Sequence, residues 1–218
     1  MLDSAIIMAI TTLMVMMALS AGFRRGVELM PWPDGLEYAA SAVNLASGRG
    51  AVLHFGGYTY PSRYTAGYPL ILELFYRSFD QRADRLFFVS LVLGMTAVFS
   101  IFNVARDVFG RAAAAIAALL LALSPVFITY SMLVMSDVPT LFVTLFALLM
   151  LRHAASDDSP ASPNRLRISL WLMFGLLAGF STIIRPTNVT IFAGLALCVV
   201  MVPLQHRDRS SLLKAAIA

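Results

Sequence analysis

Hydrophobic and polar positions along this chain fall into long blocks, not short alternations. Six stretches lack Lys, Arg, Asp and Glu: Ser4–Phe23, Leu86–Ala105, Ala112–Ser136, Val138–Leu151, Ile168–Ile184 and Pro186–His206. A helix rises about 1.5 Å per residue and a bilayer core is about 30 Å thick, so about 20 apolar residues cross it. The first, second and last stretches are long enough, and the fifth is marginal. The fourth must borrow residues near Asp137. The third is interrupted by Ser124-Pro125. Proline has no amide donor and disfavours helix at the residue before it, which predicts a break there, at one membrane surface. Irregular backbone at that depth survives only where protein or water covers it, so the break hints at a cavity. The expected fold is all-α: a polytopic membrane protein of about six transmembrane helices, forming one domain over 1–218.

The segment 24–85, between the first two stretches, is different in kind: mixed in charge and rich in Gly, Pro and Tyr. Glu37–Ser47 reads as a short helix with Leu36, Ala39, Ala40, Val43 and Ala46 on one face, stopped by Gly48. Arg49–Thr65, with Gly56-Gly57 and Pro61, reads as loop. Tyr68–Phe79 is again amphipathic, with Leu70, Ile71, Leu74, Phe75 and Phe79 on one side. Two such helices, with Trp32, several Tyr and Arg77 nearby, suit a membrane interface. Ser4–Phe23 lacks a basic leader and a small-residue cleavage site, and reads as an uncleaved anchor.

Composition agrees with lipid as the main solvent. Apolar types make up 59% of the 218 residues and charged types 13%, against about 25% charged in soluble domains. A single soluble domain and intrinsic disorder are both excluded. The net charge is +4, but no basic run forms a stripe for nucleic acid. The single cysteine, Cys198, cannot form an intrachain disulfide. Six spans would place Arg106, Arg111, Arg152, Arg165, Arg167, Arg207, Arg209 and Lys214 on one side. Arg24, Arg25, Arg49, Arg63, Arg77, Arg82, Arg85 and Arg185 would lie on the other. Short loops weigh most in the positive-inside rule, which favours both termini in the cytoplasm and 24–85 outside.

A few residues stand out as chemistry. Asp34, followed three residues later by Glu37, has the spacing of a capping box, Asp at the N-cap and Glu at the third position. It is equally a carboxylate able to take a proton at a membrane surface. Asp137, between two apolar runs, is a lone ionisable group at a span boundary, or an N-cap with Pro139 in the first turn. Two convergent carboxylates could hold a divalent cation, Mg or Mn, through oxygen ligands. Arg185 interrupts two apolar runs and offers a planar fork for phosphate, or snorkels to the interface. Arg63 and Tyr64 offer another phosphate or sugar contact, or a loop facing headgroups. Glu37 completes the candidate substrate-binding group. No glycine-rich phosphate loop, paired-histidine motif or nucleophile elbow is present.

The order of these pieces resembles the GT-C membrane glycosyltransferases. It is most similar to bacterial members related to protein O-mannosyltransferases and the aminoarabinose transferase of lipid A. The resemblance rests on Pro33-Asp34-Gly35-Leu36-Glu37-Tyr38, Leu45-Ala46-Ser47-Gly48-Arg49-Gly50 and the Gly67-Tyr68-Pro69-Leu70 stretch. It continues through Ser124-Pro125, Ser136-Asp137-Val138-Pro139, Gly175-Leu176-Leu177-Ala178-Gly179 and Arg185-Pro186. It implies that Asp34 is the general base, that Asp137 is linked to a metal, and that a basic residue lies near a lipid phosphate. Some relatives carry Lys where this chain has Gly67; Arg63 or Arg185 would substitute. Members usually continue further, so the chain is expected to be an N-terminal portion.

The expected activity is inverting transfer of a sugar from a polyprenyl-phosphate donor to a lipid, glycan or protein acceptor. It would occur on the extracytoplasmic face of the plasma membrane. The competing expectation is a non-catalytic lipid-binding, flippase or transport component, which would need polar residues along a path through the bilayer.

Overall fold

The computed structural model describes residues 2–25, 29–79, 81–155, 164–195 and 197. Residues up to Arg185 form one compact unit, and Pro186 opens a second. In the first unit α1 (Leu2–Arg25) is followed by the short helix α2 (Asp34–Ala46). A hairpin of β1 (Val52–Phe55) and β2 (Tyr58–Pro61) leads to α3 (Gly67–Ser78). After a 3-10 turn at Ala83–Arg85 come α4 (Phe87–Phe109), α5 (Arg111–Leu123), α6 (Pro125–Ser131), α7 (Asp137–Ala155) and α8 (Asn164–Ile184). The described part of the second unit is helical over 188–195.

Local chemistry sets the ends. Gly110 closes α4 at φ +86°, where its amide donates to the Arg106 carbonyl. Gly48 (φ +72°) ends α2: its amide donates to Leu45 O at 2.9 Å, and the Arg49 amide donates to Asn44 O at 2.9 Å. These two bonds are the Schellman pattern, which satisfies carbonyls left open at a helix end. The break expected at Ser124-Pro125 is present. Ser124 is extended, its hydroxyl accepts from the Phe127 amide, and Pro125 starts α6 with a bend of 64° from α5.

Among the described residues three helices are long and apolar enough to cross a membrane: Leu2–Gly22, Ala83–Phe109 and Asp137–Ala154. The bent α5–α6 pair would make a fourth. The apolar part of α8, Ile168–Ile184, is shorter. Six spans are therefore not reached among the described residues, and most of the sixth stretch, 196 and 198–206, lies outside them. The chain is a helical membrane protein, but not purely α. The segment read as loop contains an antiparallel hairpin pairing Val52 with Pro61 and Phe55 with Tyr58. Gly56 (φ +57°) and Gly57 (φ +81°) supply the left-handed two-residue turn that matches strand twist.

The membrane helices pack through small residues. Ala114, Ala118 and Ala122, one helical turn apart on α5, are fully buried beside Met14 and Ala18 of α1 and Ala97, Val98 and Phe102 of α4. One end of this bundle carries an ion network. Asp3 meets Arg111 Nε at 2.5 Å and Arg106 Nη1 at 3.6 Å, while Asp107 meets Arg106 at 3.1 Å and Arg152 at 3.4 Å. The start of α1, the end of α4, the start of α5 and the end of α7 thus share that end. Asp137, at the other end of α7, precedes Arg152 by 15 residues and is about 22 Å away along the helix. The α5–α6 pair leads from Arg111 toward Asp137, so it joins the two ends of the bundle. Arg106, Arg111 and Arg152 therefore lie at the end opposite Asp137.

Candidate functional site

The opposite end gathers α2, the hairpin, the starts of α3 and α7 and the end of α8. A second apolar cluster holds them together, with Tyr38, Ala42, Tyr68, Leu72, Leu86, Val89, Val134 and Ile184 buried. Two close approaches fix the geometry. A β-carbon on Gly35 would lie 2.6 Å from Pro31 Cδ and 3.0 Å from Val134 O. A β-carbon on Gly67 would lie 2.5 Å from the Ile183 carbonyl carbon and oxygen. Thr65 adds a hydroxyl bond to Ile184 O at 3.1 Å. The segment leading into α3 is thereby seated on the last turn of α8, directly before Arg185.

The capping box is not formed. Asp34 is the first residue of α2, Pro33 holds the N-cap position, and no side chain caps the helix. Both carboxylates turn instead to the segment 62–64. The Tyr64 hydroxyl donates to Asp34 Oδ1. Glu37 Oε1 accepts from the Ser62 hydroxyl at 3.0 Å and the Arg63 amide at 2.5 Å. Its Oε2 accepts from Arg63 Nε at 2.9 Å, with Nη2 at 2.8 Å. A guanidinium fork, a backbone amide and a hydroxyl give Glu37 more donors than the one backbone amide a capping box would offer it, and the Ser62–Tyr64 loop outcompetes the local motif.

Electrostatics follow this arrangement. Burial pushes the Glu37 carboxyl up, but the Arg63 amide and guanidinium and the Ser62 hydroxyl outweigh it and hold it below its ordinary value. The bond to Asp34, reinforced by burial, pushes the Tyr64 phenol up to about 12, so it remains a donor at neutral pH. Burial raises Tyr38 too, despite the Ser136 hydrogen bond, with Asp34 and Asp137 raising it further and Arg185 opposing them.

Tyr38 links the two halves of the site. Its ring lies 4.7 Å from that of Tyr64 and 5.1 Å from that of Tyr68, centroid to centroid. Its hydroxyl donates to Ser136 Oγ at 3.1 Å. Ser136 precedes Asp137, whose Oδ1 accepts from Arg185 Nη1. Tyr68 is fully buried and its hydroxyl is 2.9 Å from Ser90 Oγ. The structure therefore joins Asp34, Glu37, Arg63, Tyr64, Asp137 and Arg185 in one cluster, with Tyr38 in the middle. Tyr38, Ser62, Thr65 and Ser136 were not singled out from sequence. Tyr38 had a signal, since it stands one helical turn from Asp34; the other three had none.

Among the described residues no three His, Cys, Asp or Glu side chains converge. One oxygen of Asp34 is taken by Tyr64 and one of Asp137 by Arg185. A cavity of about 410 Å³ opens beside Asp137, lined by Leu121, Ser124, Val126, Phe127, Tyr130, Val138 and Leu141. It lies at the Ser124-Pro125 break, where a cavity was expected.

These features define a polytopic membrane protein with an acid–base and guanidinium cluster at one end of its bundle, beside an apolar recess. The family model described as dolichyl-phosphate-mannose-protein mannosyltransferase matches residues 65–218, and the chain belongs to that family. Membership makes it a membrane glycosyltransferase of the GT-C type. The match includes Asp137 and Arg185 and begins directly after Tyr64, so the roles of Asp34, Glu37, Arg63 and Tyr64 rest on geometry. No curated protein and no solved structure matches the chain.

Proposed function

We propose that this end of the bundle transfers a sugar from a polyprenyl-phosphate donor to an acceptor at the extracytoplasmic face of the plasma membrane. The observation that carries the reading is the common cluster of Asp34 and Arg185, a candidate base and a candidate phosphate partner linked through Tyr64, Tyr38 and the Ser136–Asp137 pair. Asp34 Oδ1 is held by Tyr64, which orients the carboxylate. Asp34 takes the proton of the acceptor hydroxyl or amine as that group attacks C1 of the sugar. The bond from C1 to the phosphate oxygen breaks, and the configuration inverts. The leaving group departs as a phosphate, so no strong acid is required. Arg185 neutralises its charge by releasing part of its hold on Asp137, as guanidinium forks suit phosphate. The apolar recess beside Asp137 gives the lipid tail a place within the bilayer.

The test is transfer from a labelled polyprenyl-phosphate sugar by membranes carrying the Asp34→Asn variant. Loss of about two orders of magnitude or more is expected for a general base. Unchanged transfer would remove Asp34 from that role. The lipid-binding or transport alternative lacks a supporting observation, because the candidate groups gather at one end and not along a path.

A further inference from the structure

Arg63 is exposed yet firmly held. Its side chain is 62% exposed, while that of its partner Glu37 is 4% exposed. Glu37 grips the residue twice, through the backbone amide and through Nε and Nη2. The guanidinium carbon also sits 5.5 Å from the Tyr64 ring centre, and that ring carries the hydroxyl on Asp34. A guanidinium has five N–H donors in a fixed plane. Glu37 engages the Nε side, which leaves both hydrogens of Nη1 and one of Nη2. Those donors form an open edge, matched in shape to a phosphate or carboxylate. Because Glu37 stands behind the guanidinium, on its Nε side, it orients this edge and does not cover it.

We infer that this edge is a second oxyanion seat, that it binds the acceptor, and that the acceptor carries a phosphate or carboxylate near its nucleophilic group. The inference rests on the proposed transfer reaction and extends it to the class of acceptor. The assignment to acceptor follows from position. Arg185 stands at the end of α8, paired with Asp137, which lines the apolar recess among the membrane helices. Arg63 instead follows β2, whose residues are all exposed, and it is one residue from the tyrosine holding Asp34. The cluster thus runs from Arg63 through Tyr64 and Tyr38 to Ser136, Asp137 and Arg185. A base beside the Arg63 end, with Arg185 at the other end, suits a displacement in which nucleophile and leaving group lie on opposite sides of C1. Glu37 is then a positioning residue, acting through Arg63.

The experiment uses the full chain in phosphatidylcholine nanodiscs, with phenyl phosphate and benzoate as probes and phenol as the uncharged control. Both anions are expected to bind and phenol to bind more weakly, by about tenfold. Arg63→Gln should weaken anion binding by about tenfold, and Arg63→Lys, which keeps charge but loses the fork, by about fivefold. Glu37→Gln should weaken it in the same direction, and Arg185→Gln should leave the Arg63 seat intact. Binding unchanged in Arg63→Gln, or lost only in Arg185→Gln, overturns the inference. In the transfer assay Arg63→Gln should lower turnover with the donor KM unchanged, and the labelled product should be retained on an anion exchanger. A raised donor KM or an unretained product overturns the acceptor assignment. Either failure is distinct from that of the Asp34→Asn test, which concerns the base alone.

Discussion

Replacing Gly67 with alanine tests whether the site depends on a contact between two backbones. The added carbon would lie 2.5 Å from the carbonyl carbon and oxygen of Ile183 and 2.6 Å from the Ile184 nitrogen. Carbon atoms touch comfortably at about 3.5 Å, so the shortfall approaches 1 Å. The obstacle is main chain in the last turn of α8, which cannot swing aside as a side chain would. Overpacking of this sort costs about 1–3 kcal/mol. The better helix propensity of alanine offsets at most about 1 kcal/mol of it. The remaining strain separates α3 from the end of α8, and Arg185 follows Ile184 directly. A displacement of about 1 Å in a positioning group can reduce turnover by about 100-fold. Transfer rate and donor KM are the measurements, with thermal unfolding in detergent alongside. Gly175→Ala is the control, since its added carbon meets nothing within 4 Å. Full activity and unchanged stability in Gly67→Ala would refute the contact. The same distances bar a lysine from this position unless the end of α8 moves.

Three further outcomes are expected. Glu37→Gln sets an amide against the donors of Arg63 and should cost about 1–3 kcal/mol near neutral pH, read by unfolding. Because the folded Glu37 carboxyl lies below its ordinary value of 4.5, its contribution is complete above that value. It is lost as pH falls through the lower folded value, so wild-type stability should drop on that acid side and the Gln variant should lack that component. Transfer should change by less than about twofold on addition of a chelator, because Asp137 rests against Arg185; a strict Mg or Mn requirement would show that a cation replaces Arg185 beside Asp137 during turnover. In a Cys198→Ser background, Trp32→Cys and Tyr58→Cys, at positions 77% and 70% exposed, should react with an impermeant maleimide from outside. Arg111→Cys should react only after permeabilisation, and labelling of all three from one side would overturn the two-ended arrangement.

The membrane helices were legible because charge-free length is a strong signal, and the break at Ser124-Pro125 was legible because proline acts on its immediate neighbour. The hairpin was missed although Gly56-Gly57 is a known two-residue turn signal, because its strands are only four residues each and lack a clear alternation. Asp34, Asp137 and Arg185 were legible as isolated charges beside apolar runs. Their partners were not, since Tyr64 and Asp34 are 30 residues apart and Arg185 and Asp137 are 48 apart. The local spacing of Asp34 and Glu37 suggested a cap, and only the fold brings Ser62 and Arg63 close enough to displace it.

The orientation of α2 explains why the interfacial reading and the catalytic reading coexist in one segment. A helix beside an aqueous surface normally turns its apolar face inward. Here Leu36 is 49% exposed and Ala40 and Val43 are partly exposed, while Glu37, Tyr38, Ser41 and Asn44 are buried. α3 also exposes Leu70 and Leu74, but its buried residues Tyr68, Pro69 and Leu72 are themselves largely apolar. In lipid the inversion of α2 is favourable, because apolar side chains lose nothing by facing acyl chains and polar groups gain by meeting one another. The same pattern that marks α2 as interfacial therefore turns Asp34 and Glu37 toward the segment 62–64 and the Tyr38 hydroxyl toward Ser136. A charged replacement of Leu74 on the exposed face should weaken membrane seating before it alters the site, whereas a conservative change at Tyr38 should do the reverse.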